Sequence, residues 1–587
     1  MKNNGSQEIW HPIKDKIVTR WVQDVSPKNP LPEYPRPQLR RNEWINLNGL
    51  WDYAIRPKKD NEIPKSFDGK ILVPFPIESA LSGVKKRLTP KNKLWYRRFF
   101  TIPESWNGKK ILLHFGAIDW ESTIWINGKR IGDHRGGYIP FSFEISEFIN
   151  NNENELIVSV WDPTGKSCQE RGKQLLRSFM IFYTPISGIW QTVWLEPIST
   201  TFITSLKITP NIDEENLNIE IMVQNPNPQD FIFIQILDKK REIVSKTIEI
   251  NKSFILDIPS PNLWSPDSPF LYDLNISILR NNEQIDSIES YFGMRKISIG
   301  KDNNGIPRIL LNNKEIFQYG VLDQGYWPDG LYTAPTDSAL KYDIEIAKEL
   351  GFNMIRKHVK IEPSRWYYHC DKIGMLVWQD MPNGGKSLFF IGKKRNKVCK
   401  KNYYKDLKSM IEILYNFPSV IVWIPFNEGW GQFETKKVVN YIKKHDLSRL
   451  IDNASGWFDK KVGDIHDIHK YVGPKCPKIE NHRVAVLGEF GGLGLKINNH
   501  LWKKKKHSFS YSKLSDQNKL VIKYTELINR LKPLINKGLC AAIYTQITDV
   551  EGEINGLLTY DREIIKIDIE KLKKLNTSLY IHDKNTK

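Results

Sequence analysis

The apolar and polar residues follow three different rhythms along the chain. From Trp44 to Pro197, short segments with alternating apolar and polar residues, such as KKILLHFGAI and STIWINGKRIGDH, are separated by turn signals like Asn127-Gly128. A period of two with frequent turns is typical of the half-buried strands of a sandwich or jelly roll. We therefore predict an all-β jelly roll over residues 41–198, preceded by a proline-rich extended arm over residues 1–40.

The second rhythm, over residues 199–298, is also typical of β-structure but has fewer aromatic residues. A length of about 100 residues with about seven short strands suits an immunoglobulin-like β-sandwich. We predict that this domain is a spacer, because it contains no cluster of residues with catalytic chemistry.

The third rhythm begins near residue 299 and alternates strands with amphipathic helices. The segment APTDSALKYDIEIAKELG (334–351) has apolar residues at helical spacing, a candidate N-cap at Thr336 and a terminating Gly351. The intervening strands, such as VIVWI (420–424), are apolar without alternation, as strands buried on both faces are. The pattern predicts a C-terminal (β/α)₈ TIM barrel over residues 299–587, and the whole chain is predicted to be a multidomain protein.

Two barrel strands are followed by a carboxylate in matching surroundings. SVIVWIPFNEGWGQF (419–433) delivers Glu428 after a buried strand, and VAVLGEFGGLG (484–494) delivers Glu489 in the same way. A single glutamate in a loop is usually solvated, but two at strand ends favour a pair acting on one bond. Retaining glycosidases need such a pair about 5–5.5 Å apart, one as acid/base and one as nucleophile. Asn427 would then donate a hydrogen bond to the sugar 2-hydroxyl.

These motifs, together with WYRRFFTIP, HFGAIDW, WINGKRIG and GIWQTVWLEP, resemble glycoside hydrolase family 2, the β-galactosidase and β-glucuronidase family. The resemblance covers roughly residues 40–565. It implies that Glu428, in the Asn-Glu pair after the fourth barrel strand, is the acid/base. It implies that Glu489, after the seventh strand, is the nucleophile. The resemblance does not specify which sugar is the substrate.

Other polar and aromatic residues at the predicted strand ends are candidates for substrate binding, because a sugar needs several hydrogen-bonding groups and aromatic walls. Three candidates follow the predicted strand 6: His466, His469 and Tyr471. We select His466 and Tyr471 for the substrate-binding set. The predicted substrate-binding set is Asn427, His358, Asp380, Trp378, Asp323, Trp430, Trp457, His466, Tyr471 and Gln546.

The second strand departs from the family pattern. Relatives typically carry Arg-x-Ser-His-Tyr-Pro, whereas this chain has RKHVK, with His358 one place early and Lys360 nearby. A lysine in the pocket would favour a carboxylated or sulfated sugar. The arginine-bearing loop RGKQ (171–174) of the jelly roll is expected to be structural, with a position at the pocket rim as the alternative.

The composition is that of a folded protein with an excess of positive charge. Of 587 residues, 40% are hydrophobic and 12% aromatic, and 86 Lys and Arg against 67 Asp and Glu give a net charge of +19. The basic runs KKRNKVCKKNYYK (393–405) and LWKKKKH (501–507) are interpreted as solvated loops, with an anionic glycan as the alternative explanation. No nucleic-acid-binding motif accompanies them. We expect an oligo- or polysaccharide substrate, no nucleic-acid or membrane partner, and a homo-oligomer as an open possibility.

The five cysteines lack metal-binding spacing and are odd in number, so we expect reduced or buried thiols. We expect no metal, because no clear cluster of hard oxygen ligands appears in the sequence, and no cofactor, because carboxyl groups can supply the acid, base and nucleophile. Residues 1–25 contain no apolar core of a signal peptide, and no run of about 18 apolar residues occurs in the chain. The expectation is a cytoplasmic protein, or a periplasmic or secreted one if the sequence is a mature form.

The sequence thus predicts a retaining exo-β-glycosidase for terminal β-linked sugars, with a β-galactoside leading because the pattern is most similar to the β-galactosidase members. A β-glucuronidase, β-galacturonidase or arabinopyranosidase acting on an acidic glycan is the alternative. A catalytically silent carbohydrate-binding protein is the alternative from another class. The presence of Glu428, Glu489 and Asn427 together argues against it.

Overall fold

The structure is a computed structural model that describes residues 10–13, 17–250, 253–384, 395–503 and 508–580. It contains two sheet-rich regions followed by a barrel of parallel strands, and the predicted multidomain fold is confirmed. The basic runs lie partly outside the described residues, which omit 393–394 and 504–507. In the described ranges, no helix combines the length and apolar character that a membrane crossing requires.

The first region is a jelly roll of antiparallel strands whose apolar faces enclose one core. Trp51, Tyr96 and Val158 are among its buried side chains, as the alternating pattern requires. The strands are β1 (Ile45–Asn46), β2 (Gly49–Pro57), β3 (Gly69–Val73), β4 (Asn92–Phe100), β5 (Lys110–Phe115), β6 (Ile118–Asp119), β7 (Glu121–Ile126), β8 (Lys129–Arg135), β9 (Phe141–Glu144), β10 (Asn154–Trp161), β11 (Gly188–Ile189) and β12 (Val193–Ile198).

The second region is a sandwich with a separate core rich in isoleucine and leucine. One sheet has the order β13-β14-β17 and the other β16-β15-β18-β19, all antiparallel. The strands are β13 (Phe202–Asn211), β14 (Asn216–Gln224), β15 (Asp230–Asp238), β16 (Arg241–Glu249), β17 (Phe254–Asp257), β18 (Tyr272–Arg280) and β19 (Glu283–Phe292). A small antiparallel sheet then leads into the barrel, with β20 (Ile297–Lys301), β21 (Pro307–Leu311) and β22 (Lys314–Glu315).

The barrel strands are all parallel, and their hydrogen-bonded order is 5-4-3-2-1-8-7-6 in the order of the chain. This is the order of a (β/α)₈ barrel opened between the fifth and sixth strands. The strands are β23 (Gln318–Asp323), β24 (Met354–Lys357), β25 (Leu376–Asp380), β26 (Val420–Ile424), β27 (Leu450–Ile451), β28 (Ile465–Lys470), β29 (Val484–Gly491) and β32 (Leu539–Thr545). A short parallel pair, β30 (Leu493–Leu495) and β31 (Ser512–Leu514), lies after the seventh strand.

Four of the six barrel helices in the described residues begin after a residue whose side chain caps the helix. The Thr336 hydroxyl accepts a hydrogen bond from Ala339 N–H, so the predicted N-cap is confirmed. Asn396, Asp516 and Asp568 cap α3, α5 and α6 in the same way. The helices are α1 (Asp337–Glu349), α2 (Ser364–Ile373), α3 (Lys397–Leu414), α4 (Thr435–His445), α5 (Gln517–Asn536) and α6 (Ile569–Thr577).

A disulfide bond joins the jelly roll to the barrel. Cys168, in the loop after β10, is bonded to Cys399 in α3, 231 residues further along the chain. The expectation of free thiols alone is therefore wrong, because only the folded chain shows which cysteines approach each other. Cys370, Cys476 and Cys540 are free.

Thiol titration in denaturant should distinguish bonded from free cysteines. We expect three reactive thiols in the unreduced protein, because a bonded sulfur does not alkylate, and five after reduction. In the Cys399→Ser variant Cys168 loses its partner, so reduction should no longer change the count. Five reactive thiols before reduction would contradict the disulfide.

Candidate active site

The two glutamates predicted from the sequence lie side by side at the carboxyl ends of barrel strands. Glu428 follows β26 and is 5% exposed, and Glu489 lies in β29 and is 4% exposed. A carboxylate oxygen of each lies within 4.8 Å of the other. Carboxyl groups about 5–5.5 Å apart are typical of retaining glycosidases, whereas inverting enzymes need about 6.5–9.5 Å.

Glu428 is held by its backbone as well as by its side chain. Its φ of 48° is in the left-handed region, which is uncommon for a glutamate, and its N–H donates to Ser455 O at 2.9 Å. Such backbone strain is often found at functional sites. Oε1 lies 3.3 Å from the Tyr471 hydroxyl and 2.8 Å from His469 Nδ1, whereas Oε2 makes no hydrogen bond to a described residue. Oε2 is therefore the oxygen available for a substrate proton.

Arg356, in β24, connects the acidic groups of the site. Its guanidinium donates two hydrogen bonds to Asp380, at 2.9 and 3.0 Å, and one to Asn427 Oδ1 at 2.8 Å. It also lies 3.4 Å from Glu489 Oε1. The side chain is fully buried, and the neighbouring carboxylates of Asp380 and Glu489 outweigh the cost of burial and raise its pKa. Arg356 thus connects Glu489, Asp380 and Asn427 in one network.

His469, in β28, lies between the two glutamates. Its Nδ1 is 2.8 Å from Glu428 and 3.7 Å from Glu489, and its Nε2 is 2.9 Å from Ser455 Oγ. Burial alone would lower its pKa, but the charges of the two glutamates outweigh burial and raise it. The ring therefore donates its Nδ1 proton to Glu428 and keeps that carboxylate oriented.

The environment of Glu489 suits a nucleophile. Tyr471 donates its hydroxyl to Glu489 Oε2 at 2.7 Å, and its ring stacks on Tyr511 with centroids 3.5 Å apart. Burial would raise the pKa of Glu489, but the charges of His469 and His358 outweigh it and lower the pKa to about 2. Glu489 is therefore ionised at every pH at which the protein is expected to work.

Asn427 is arranged to donate a hydrogen bond. Its Oδ1 is occupied by Arg356, and its Nδ2 makes no hydrogen bond to any residue that the structure describes. Because Arg356 already donates to the amide oxygen, the N–H groups of Asn427 remain as hydrogen-bond donors for a ligand. This agrees with the predicted contact to the sugar 2-hydroxyl.

The jelly-roll loop RGKQ (171–174) reaches the top of the barrel. The Gly172 N–H donates to Asn383 O at 3.0 Å, and a side chain at Gly172 would place its Cβ 2.4 Å from Val359 O. Glycine is required here because its φ is 58° and the barrel backbone is in contact. The loop therefore packs against the carboxyl ends of the second and third barrel strands.

This loop carries a lysine into the site. Lys173 is 5% exposed, and the nearest acidic oxygen among the described residues is Glu553 Oε2 at 3.9 Å, too far for a hydrogen bond. Its charge contributes to the lowered pKa of both Glu489 and His358. A buried ammonium group with no hydrogen bond to a described residue is available to a ligand.

Several of the other predicted residues join this network. His358 Nδ1 lies 2.9 Å from Asp380 Oδ2, and burial, followed by the charge of Lys173, lowers its pKa. Trp430 is 6.3 Å from His358 between ring centroids. Trp457, which is 37% exposed, lies at the rim with its centroid 6.2 Å from that of His469.

Four predicted residues have their polar contacts outside the described network of Arg356, Asp380 and the two glutamates. The Trp378 indole donates to Gln318 at 2.7 Å, and the ring packs in the barrel core. Asp323 is paired with Lys357. His466 lies 3.1 Å from Glu480. Gln546 accepts a hydrogen bond from Gln324 at 2.6 Å, and its Nε2 is buried without a partner in the described structure.

Sequence reasoning did not select Arg356, His469 or Lys173. For His469 a signal was present, since burial alternates along β28 and places it on the same face as Tyr471, opposite His466. For Lys173 the sequence offered only the alternative that the RGKQ loop reaches the pocket rim, because nothing in a loop sequence shows which of its side chains enters another domain. Lys360 was considered as a contact for an acidic sugar. Its ammonium group instead donates hydrogen bonds to Gly325 O, Tyr332 O and Glu362.

Among the residues that the structure describes, two groups of side chains are close enough to hold a metal ion: Glu428 with His469 and Glu489, and Asp459 with His466 and Glu480. The raised pKa of His469 keeps a proton on its ring, which opposes metal binding in the first group. In the second group, Arg483 is paired with both Asp459 and Glu480.

Comparison with known proteins gives matches in three consecutive segments. Family models described as glycosyl hydrolases family 2 match residues 70–196 as the sugar binding domain, 201–295, and 306–510 as the TIM barrel domain. A β-galactosidase from Thermoanaerobacter pseudethanolicus is 28% identical over 422 residues, which is 68% of this chain and 54% of the relative. A putative β-glucuronidase from Formosa agariphila is 29% identical over 432 residues, 69% of this chain and 49% of the relative. The chain spans about half the length of these curated relatives.

Among solved structures, a β-glucuronidase from Ruminococcus gnavus in complex with D-glucuronic acid has the same fold. Its TM-score is 0.71 at 20% sequence identity, and the match covers 93% of this chain and 99% of that one. The resemblance to this structure concerns the fold alone.

Proposed function

Because the chain belongs to glycoside hydrolase family 2, we propose that it is a retaining exo-β-glycosidase that removes terminal non-reducing β-linked sugars from an oligo- or polysaccharide. The observation that carries this proposal is the pair of buried carboxylates, Glu428 and Glu489, with oxygens within 4.8 Å of each other. Asn427, with a free amide donor beside them, supports it.

In the first step Glu489 attacks the anomeric carbon while Glu428 transfers its proton to the glycosidic oxygen. The bond between that carbon and oxygen breaks, the leaving alcohol departs, and the sugar stays esterified to Glu489. The lowered pKa of Glu489 keeps the nucleophile charged, and Tyr471 and Arg356 hold its two oxygens in place.

In the second step Glu428, now a carboxylate, takes a proton from water as the water attacks the same carbon. The ester to Glu489 breaks, and the sugar leaves with its β configuration retained. His469 orients Glu428 through Oε1 in both steps, so that Oε2 can exchange the proton.

A β-galactoside is our leading substrate. Lys173 favours a second candidate, a sugar with a carboxylate such as a β-glucuronide or β-galacturonide, because its ammonium group is buried in the site without a hydrogen bond to a described residue. A neutral hydroxyl would also satisfy it, but a carboxylate would form the stronger, charge-assisted hydrogen bond.

A panel of 4-nitrophenyl β-glycosides that differ only in the sugar tests both candidates. We expect hydrolysis of the galactoside, with the uronides as the acidic comparison. Turnover of none of the panel would favour the catalytically silent binding protein and contradict the proposal.

Lys173→Met should separate the two candidates. If an acidic sugar is the substrate, kcat/KM on the uronide should fall about 10- to 100-fold, since a hydrogen bond to a charged group contributes about 1.5–3 kcal/mol. The fall on the galactoside should be smaller than about tenfold. Arg177→Met, on the exposed part of the same loop, is the matched control. Equal losses on both sugars would remove the acidic candidate.

A further inference from the structure

A groove of about 1080 Å³ lies against Gly429, the residue that follows Glu428, and runs along the amino end of α4. We call it the leaving-group groove and define it by Lys400, Phe433, Lys436, Lys437, Phe458 and Lys460. Gly429 and Gly431, the residues that follow Glu428, form its inner wall. It is large enough for more than one sugar ring, since typical ligand pockets measure about 300–1,000 Å³.

The charged residues that line the groove are mostly basic. Glu434 is its one acidic residue, at 2.8 Å from Lys400 and 3.7 Å from Lys437. The exposed ammonium groups of Lys436 and Lys460 form no ion pair with any residue that the structure describes. Arg395, which also lines the groove, is paired with Glu170 of the jelly roll. An excess of positive charge therefore remains in the groove.

Two aromatic rings lie among these charges. Phe458 is 50% exposed, and a methyl group at Gly429 would come within 2.5 Å of its ring. The Phe433 ring lies 5.5 Å from Lys400 Nζ. An exposed ring beside the catalytic loop gives the apolar face of a pyranose a surface to pack on, with lysines close to its substituents.

The position of the groove decides which part of the substrate it can receive. Glu428 donates its proton to the departing oxygen, so the leaving group lies on the Glu428 side of the cleaved bond. The glycines of the groove directly follow that residue. A ligand in the groove therefore belongs to the leaving group.

From these observations we propose that the leaving-group groove binds an acidic oligosaccharide, one whose sugars carry carboxylates or sulfates, so that the protein acts on sugars attached to an anionic glycan. The inference rests on the proposed glycosidase function and names the class of its leaving group. The unpaired lysines attract and hold the anionic substituents, and Phe458 packs against a sugar ring.

The first test uses two disaccharides that differ only in charge: β-galactosyl-galacturonic acid and its uncharged methyl ester. The ratio of kcat/KM for the acid to that for the ester should fall about three- to tenfold in Lys436→Gln/Lys460→Gln, because exposed charges contribute modestly. It should stay constant in Lys129→Gln/Lys444→Gln, which removes the same charge elsewhere; Lys444 is on the far end of α4. An unchanged ratio in the groove variant, or an equal fall in the control, would overturn the proposal.

The second test does not depend on catalysis. Isothermal titration should show that trigalacturonate binds the wild-type protein, and that the affinity falls as salt is added. Binding should weaken at least about threefold in the groove variant and not in the control variant. Failure of the wild-type protein to bind would overturn the groove. If trigalacturonate binds in this way but no β-glycoside is hydrolysed, the proposed function fails while the groove stands.

Discussion

Replacing Glu489 by alanine is expected to lower kcat on every glycoside by more than about 10⁴-fold, because no intermediate can form without the nucleophile. The loss should not depend on the leaving group, since even a good leaving group needs an attacking carboxylate. Initial rates on a nitrophenyl glycoside and on a disaccharide measure this. Glu412→Ala, an exposed glutamate of α3, is the matched control and should keep wild-type rates.

Adding azide to the Glu489→Ala variant tests the role of Glu489, because the configuration of the product shows which face of the sugar azide attacked. In Glu489→Ala azide enters the space that the carboxylate leaves, on the face opposite the departing group, and should give the α-glycosyl azide. Proton NMR of the product identifies its configuration. A β product from this variant would mean that Glu489 is the acid/base instead.

Replacing Glu428 by alanine should give a loss that depends on the leaving group. On a disaccharide, where the departing alkoxide needs a proton, kcat/KM should fall about 10²–10⁴-fold. On a nitrophenyl glycoside the first step should be affected little, because nitrophenolate departs without a proton. The second step lacks its base, so the glycosyl-enzyme should accumulate and a burst of nitrophenolate should precede slow turnover.

Azide again provides the decisive product. It needs no deprotonation, so it should restore turnover of the nitrophenyl glycoside in Glu428→Ala and give the β-glycosyl azide. Exchanged configurations between the two variants would reverse the roles assigned to Glu428 and Glu489. Unchanged hydrolysis in both variants would place the active site elsewhere.

The sequence alone determined the fold class and the two residues at the centre of the candidate site. Local patterns carried this information: alternation in the jelly roll, unbroken apolar runs such as β26, and the Thr336 cap of α1. Glu428 and Glu489 could be found because parallel barrel strands all end on one face, so that strand ends far apart in the chain must meet. Neither glutamate had to be located from a contact seen in the structure.

The tertiary structure alone decided which side chains surround that pair. Arg356 and His469 became visible as parts of the site only through their distances to Asp380, Glu428 and Glu489. Packing also placed Trp378 in the barrel core. A strand sequence shows which residues share a face, but it does not show how deep in the barrel each one lies.

Contacts between domains were the least accessible to sequence reasoning. Lys173 and Cys168 belong to one jelly-roll loop. Lys173 lies near Glu553 and Cys168 is bonded to Cys399, and both of these residues follow hundreds of positions later in the chain. Sequence patterns report the local period of burial, whereas the meeting of two loops depends on how complete domains dock. For that reason the two glutamates could be predicted from the chain, and the approach of the jelly-roll residue Lys173 to the barrel could not.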